Sequence, residues 1–126
     1  MRYMGIDYGR KRIGVAVSDK EGKIAFPRGI VENMKELQRF IAQEKIEKII
    51  VGLPRSFDGS ETAQTQETRE FVGKLKKGVS IPVEFEDELL TTHMVKKEGV
   101  GLAHIDEAAA AVILQAYLDK SQKLKD

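Results

Sequence analysis

Apolar and polar residues alternate with a period of two at the start of the chain. Met4, Ile6 and Tyr8 fall on one face of residues 3–8, and Ile13, Val15 and Val17 on one face of residues 12–18. Gly9-Arg10-Lys11 between them predicts a hairpin turn, with Gly9 free to take a positive φ. The opposite faces carry Gly5 with Asp7, and Gly14 with Ala16 and Ser18. Such small side chains leave space for a helix packed at one end and for a ligand beside Asp7 at the other. A third extended run, residues 24–32, contains Pro27; proline donates no backbone hydrogen bond, so this run suits an edge position. The period then changes. Met34, Leu37, Phe40 and Ile41 predict a helix over 34–44, and KIIVGL (48–53) a short buried strand. Residues 60–76 read as a helix with Ser60 as N-cap, Glu61 in its first turn and Phe71, Val72 and Leu75 on its apolar side. IPVEF (81–85) reads as a strand and 89–98 as a short helix ended by Gly99. A last helix over 106–119 faces Ala110, Ala111, Leu114, Tyr117 and Leu118 inward.

Three strands followed by an αβαβ alternation predict an α/β fold. Its mixed sheet has three antiparallel N-terminal strands and is flanked by helices. With no internal repeat or linker, residues 1–126 read as a single domain. Cysteine is absent, which removes disulfides and thiolate metal sites. The formal net charge of +1 gives no global attraction to a polyanion, so any nucleic acid must be held by a local basic patch. No apolar run approaches the roughly 20 residues that span a bilayer. Met1 is followed almost at once by the first strand, leaving no room for a signal peptide. A cytoplasmic protein with no membrane partner is expected.

Three acidic positions stand at element ends: Asp7 near the end of the first strand, Glu86-Asp87-Glu88 after the last, and Asp106 at the start of the last helix. Ligands of α/β sheets collect outside the carboxyl ends of the strands. Converging carboxylates suit a hard cation such as Mg²⁺, or a pair of such ions about 4 Å apart that clamp a phosphodiester. From the residues alone each also has a plain structural reading. Asp106 is an ordinary helix N-cap, the acidic run a solvated loop, and Asp7 an edge residue. His93 and His104 lack metal-ligand spacing to each other. The stretch from Val51 to Thr62 runs from a strand through Pro54 and the Asp58-Gly59 turn pair into a helix N-terminus. That end offers backbone N–H groups to an anion but lacks the glycine-lysine-serine run of a Walker A loop.

Taken in order, GIDYGRKRIGVAVSD (5–19), VGLPRSFDGSETAQT (51–65), EFEDELLTT (84–92) and IDEAAAAVILQAYL (105–118) resemble the YqgF/RuvX family of bacterial RNase H-like nucleases. The resemblance covers nearly the whole chain. It implies an RNase H-like fold and a metal-dependent phosphodiester hydrolase using Mg²⁺ or Mn²⁺. The family's activity is described as maturing the 16S ribosomal RNA precursor or resolving four-way DNA junctions. It maps the acidic site onto Asp7, Glu88 and Asp106, as catalytic residues and metal ligands. One position departs: where the family has Asp-Glu-Arg-Leu, this chain has Asp87-Glu88-Leu89-Leu90. Arg10, Lys11, Arg12 and Arg55 are the expected grips on a nucleic-acid backbone. The chain shows no heptad run and few aromatics, so a monomer or weak homodimer is expected, and the ribosomal RNA precursor is preferred over branched DNA as substrate. Two other functions compete. Actin-like ATPases and sugar kinases begin with a similar aspartate-bearing hairpin but need a second domain to close over the nucleotide. A non-catalytic nucleic-acid-binding module is the other.

Overall fold

In the computed structural model, residues 1–88 and 105–125 are described; the helix expected over 89–98 lies outside them. Strands β1 (Tyr3–Tyr8) and β2 (Ile13–Ser18) pair antiparallel, with Met4 opposite Val17 and Tyr8 opposite Ile13. Gly9 closes the turn without a positive φ. Its N–H donates to the Arg12 carbonyl at 3.0 Å, and a Cβ at position 9 would stand 2.8 Å from that oxygen. Glycine is needed here for close backbone approach rather than for a left-handed conformation. Strand β3 (Ala25–Val31) pairs with β2 and forms the edge, as Pro27 predicted; its register shifts at a bulge opposite Val15 and Ala16.

Helix α1 (Met34–Gln43) is capped by Asn33, whose side chain accepts the Glu36 N–H at 2.8 Å, and it buries Leu37 and Ile41. Strand β4 (Lys48–Pro54) then runs parallel to β1, and β5 (Val83–Glu88) parallel to β4. The sheet order is β3-β2-β1-β4-β5. Between β4 and β5, α2 covers Ala63–Gly78, starting later than the sequence suggested. Its N-cap is Thr62, in a reciprocal capping box with Thr65. Ser60 is instead engaged with Ser56 at 2.6 Å, and Glu61 lies before the helix, bound to Arg69 at 2.8 Å. Strand β5 also differs from expectation: Glu86-Asp87-Glu88 belongs to the strand and not to a loop beyond it.

The alternation of the strands divides the core into two layers. Met4, Ile6, Val15, Ile49 and Val51 meet α1 and α2 on one face. On the other, Tyr3, Ala16 and Ile50 meet the last helix, α3 (Ile105–Lys125), through Ala110, Ile113, Leu114 and Leu118. Gly5 is the point of closest approach: a Cβ there would stand 2.7 Å from both the Ala110 carbonyl oxygen and Leu114 Cβ. The small-residue face of the hairpin therefore exists first to seat α3.

Candidate active site

Asp7 is 5% exposed, near the end of β1, on the face that carries Gly5 and α3. Aspartate is depleted in strands, so a buried one there needs a reason. The geometry around it is asymmetric. Towards the start of β1, α3 covers the sheet, with the Tyr3 and Tyr117 rings 5.9 Å apart and Gly5 beneath Ala110 and Leu114. Moving up β1 thus moves back along α3, so the two run antiparallel. From Gly5 to Asp7 the strand advances about 6.6 Å, equal to four or five residues of helix. That step reaches the first turn of α3, where Asp106 sits in the chain.

The neighbouring strands complete one end of the sheet. Extending the register of Ile6 with Val51 puts Gly52 of β4 level with Asp7, and Gly52 pairs with Glu86 of β5. Gly52 itself contributes no side chain between Asp7 and β5. The backbone of β5 continues to Glu88, in phase with 84 and 86. The side chains of Glu88 and Asp106 lie outside the described residues. Among the described residues no three Asp, Glu or His side chains converge as a metal cluster.

Asp87 belongs to the other phase and is exposed; Arg55 Nε donates to its Oδ1 at 3.1 Å. Arg55 also donates to the Gly59 carbonyl at 3.3 Å, so it closes the loop between β4 and α2 as well as holding Asp87. That loop is further ordered by Asp58, whose Oδ1 accepts the Ser56 hydroxyl and, at 2.9 Å, the Ser60 N–H. These donors, Ser56 foremost, hold the Asp58 carboxyl well below the usual carboxylate range. Gly59 takes φ +84°, and the Thr65 hydroxyl donates to the Pro54 carbonyl, fixing the helix start to the end of β4.

The basic hairpin tip divides in two. Arg10 is committed: it donates to both carboxylate oxygens of Glu67 on α2, with Nε 3.0 Å from Oε2. The Glu67 carboxyl is correspondingly held below its ordinary value by Arg10. Lys11 and Arg12 are exposed, and their side chains form no ion pair among the described residues. One residue was read within the acidic run without being singled out. Glu86, 7% exposed and on the Asp7 face, accepts from Lys120 Nζ at 2.6 Å. Its signal is its phase with Glu84 and Glu88 in β5, which is hidden as long as the acidic run reads as a loop.

A mixed sheet ordered β3-β2-β1-β4-β5, with helices on both faces and a buried aspartate at the end of its central strand, defines an RNase H-like protein. Two structures of Thermus thermophilus RuvC share that fold. The one in complex with a Holliday junction substrate has a TM-score of 0.60 and 16% identity, over 96% of each chain. Among sequence relatives, the Halothermothrix orenii protein named "Putative pre-16S rRNA nuclease" is 37% identical over 98% of this chain and 99% of its own. A protein of the same name from Caldanaerobacter subterraneus is 39% identical over the same shares. The family described as "RuvX: Holliday junction resolvase" matches residues 1–120. The chain belongs to the RuvX family.

Proposed function

We propose that this chain is a metal-dependent nuclease, a single RNase H-like domain over residues 1–126. It hydrolyses a phosphodiester bond in the precursor of 16S ribosomal RNA, trimming the 5′ end, in the cytoplasm. The observation that carries the reading is Asp7. It is a buried carboxylate on the central strand, between β2 and β4, at the end of the sheet where Gly52 of β4 comes level with it. The relatives' name supplies the RNA.

The donor set fits a hard divalent ion. Oxygen ligands, no cysteine, and acidic positions on β1, β5 and the first turn of α3 at one sheet end are what Mg²⁺ or Mn²⁺ accepts. Asp7, Glu88 and Asp106 would hold it, and when bound it supplies activation of water and stabilisation of the leaving oxygen. The protein's own share is positional. Pairing with Gly14 of β2 fixes the Asp7 backbone, and Gly52, level with it on β4, adds no side chain of its own. The Arg55 guanidinium engages Asp87, which supports Glu88 rather than Asp87 as the ligand from β5. Lys11 and Arg12 are free to meet flanking phosphates.

The family description favours a second reading, resolution of four-way DNA. That reaction needs two symmetric cuts and hence a two-fold dimer. The deciding experiment gives one preparation both an RNA with the precursor's extra 5′ segment and a synthetic four-way junction, in Mg²⁺, with mass measured by light scattering. Trimming of the RNA by a monomer or weak dimer is expected. Paired symmetric nicks in the junction by a stable dimer, with intact RNA, would overturn the choice.

A further inference from the structure

Two segments far apart in sequence meet at the site's end of the sheet, on the face opposite Asp7. The hairpin tip (Tyr8 to Lys11) and the start of α2 (Thr62 to Gln64, and Glu67) line an open cleft of about 720 Å³. Its floor is rigid, because the Tyr8 ring stacks on Phe71 with centroids 4.4 Å apart. The volume lies within the ~300–1,000 Å³ range of small-molecule sites, so it suits a short piece of one strand and not a duplex. The walls offer hydrogen-bonding groups at Thr62 and Gln64 and the ammonium of Lys11, with no acidic residue in the first turn of α2. Among the described residues the cleft's one carboxylate, Glu67, is spent on Arg10. The Arg10 side chain is otherwise open to solvent, 78% exposed against 31% for Glu67.

We propose that this cleft is the seat of the single-stranded RNA backbone flanking the scissile bond. Glu67 acts there as a stand-in anion that parks Arg10 until a phosphate replaces it. The inference rests on the nuclease reading only for the identity of the strand. A chain crossing this end of the sheet passes from the Asp7 face to the Tyr8 face over one residue of β1. The exchange is isoelectric for Arg10: it leaves one bidentate anion for another, so its planar fork is kept in shape for phosphate. Glu67 then becomes a competitor of the substrate as well as a structural partner, and it limits affinity for short anions that bring no other contacts.

This assignment makes the two ends of one ion pair behave oppositely, which a purely structural bridge does not. Binding of a fluorescein-labelled single-stranded RNA 12-mer is measured by anisotropy in EDTA, without cleavage, over a salt series. Glu67→Gln should tighten binding about two- to fivefold, the span expected for removing one exposed ionic competitor. Arg10→Gln should weaken it by a similar factor and flatten the salt dependence by about 0.7, one phosphate contact on a single strand. The double variant should match Arg10→Gln. Circular dichroism melts establish folding, and Glu67→Ala repeats the test should Glu67→Gln fail to fold. Equal loss of binding in both single variants, or no change in either, would overturn the proposal. RNA that binds as expected yet is never cut would overturn the nuclease reading while leaving the cleft in place.

Discussion

Substituting Gly5 by alanine tests whether α3 is the arm that brings acidic residues to Asp7. A Cβ at position 5 would stand 2.7 Å from the Ala110 carbonyl oxygen and from Leu114 Cβ, where ordinary contact begins at 3.4 Å. One obstacle is backbone and the other the root of a side chain, so neither can swing aside; α3 must retreat by about 0.7 Å or more. Overpacking of this kind costs about 1–3 kcal/mol. At roughly 3–6 °C per kcal/mol for a chain of this size, the midpoint should fall by about 3–18 °C. Misplacement approaching 1 Å costs on the order of 10²-fold in rate. The first turn of α3 moves with the helix, so cleavage should fall by about that factor at 25 °C, where the variant remains folded. Gly73 of α2, where an added methyl would meet nothing within 4 Å, is the control. There alanine should stabilise by up to about 1 kcal/mol and leave the rate unchanged. The assays are thermal melts by circular dichroism and initial rates on 5′-labelled RNA. A Gly5→Ala protein that melts and cuts like wild type would refute the placement of α3. One that melts early yet cuts normally would separate α3 from the chemistry.

Other outcomes follow from the same geometry. Asp7→Asn keeps the shape of a buried side chain and should fold while losing at least about 10²-fold in cleavage; a wild-type rate would remove Asp7 from the site. Glu88→Gln should cost far more activity at saturating Mg²⁺ than Asp87→Asn, which only loosens an exposed pair with Arg55, and the reverse order would reassign the ligand. In binding titrations Lys11→Ala should reduce the salt slope by about 0.7, and Arg55→Ala by less because Asp87 already neutralises it. Unchanged slopes in both variants would put the binding face elsewhere. Asp19, Asp58, Glu61 and Glu67 all hold their carboxyls below ordinary values, through the Lys23 N–H, the Ser56 hydroxyl, Arg69 and Arg10 respectively. Depressed folded values stabilise above the unfolded pKa of about 4 and lose that contribution as pH falls through the folded ones. The melting midpoint should therefore be flat from about pH 5 to 9 and fall below about pH 4, less steeply in Asp58→Asn; a midpoint rising towards pH 3 would contradict the sign.

The hairpin was legible because each strand repeats its period without interruption and nothing distant competes. Pro27 gave the edge for a reason local to proline. The start of α2 was misread because Ser60 has the right chemistry for a cap, but its hydroxyl is already engaged by Ser56, and Thr62 has Thr65 to reciprocate. In β5 the acidic run looked like a loop, since carboxylates are poor strand formers. Tertiary partners reverse that preference: Lys48 for Glu84, Lys120 for Glu86 and Arg55 for Asp87. None of these cations is near β5 in sequence, and Arg10 and Glu67 are 57 residues apart. The seat of α3 at Gly5 and the levelling of Gly52 with Asp7 needed the strand register, which no spacing within the sequence reveals.

The border of the sheet at β3 bears on how copies of the chain coexist. Phe26 is 49% exposed and Ile24, just before the strand, 52%, an apolar pair at a sheet edge, the combination that usually invites another strand to dock. Pro27 withholds an N–H in the middle of that border, and Gly29, at φ +154° beyond the bulge, bends the line a newcomer would have to follow. A docking strand could match only two or three residues before its ladder broke. Concentrated solutions should stay free of end-to-end fibres grown through this rim, and any lasting twofold partner must be recruited by some surface other than β3.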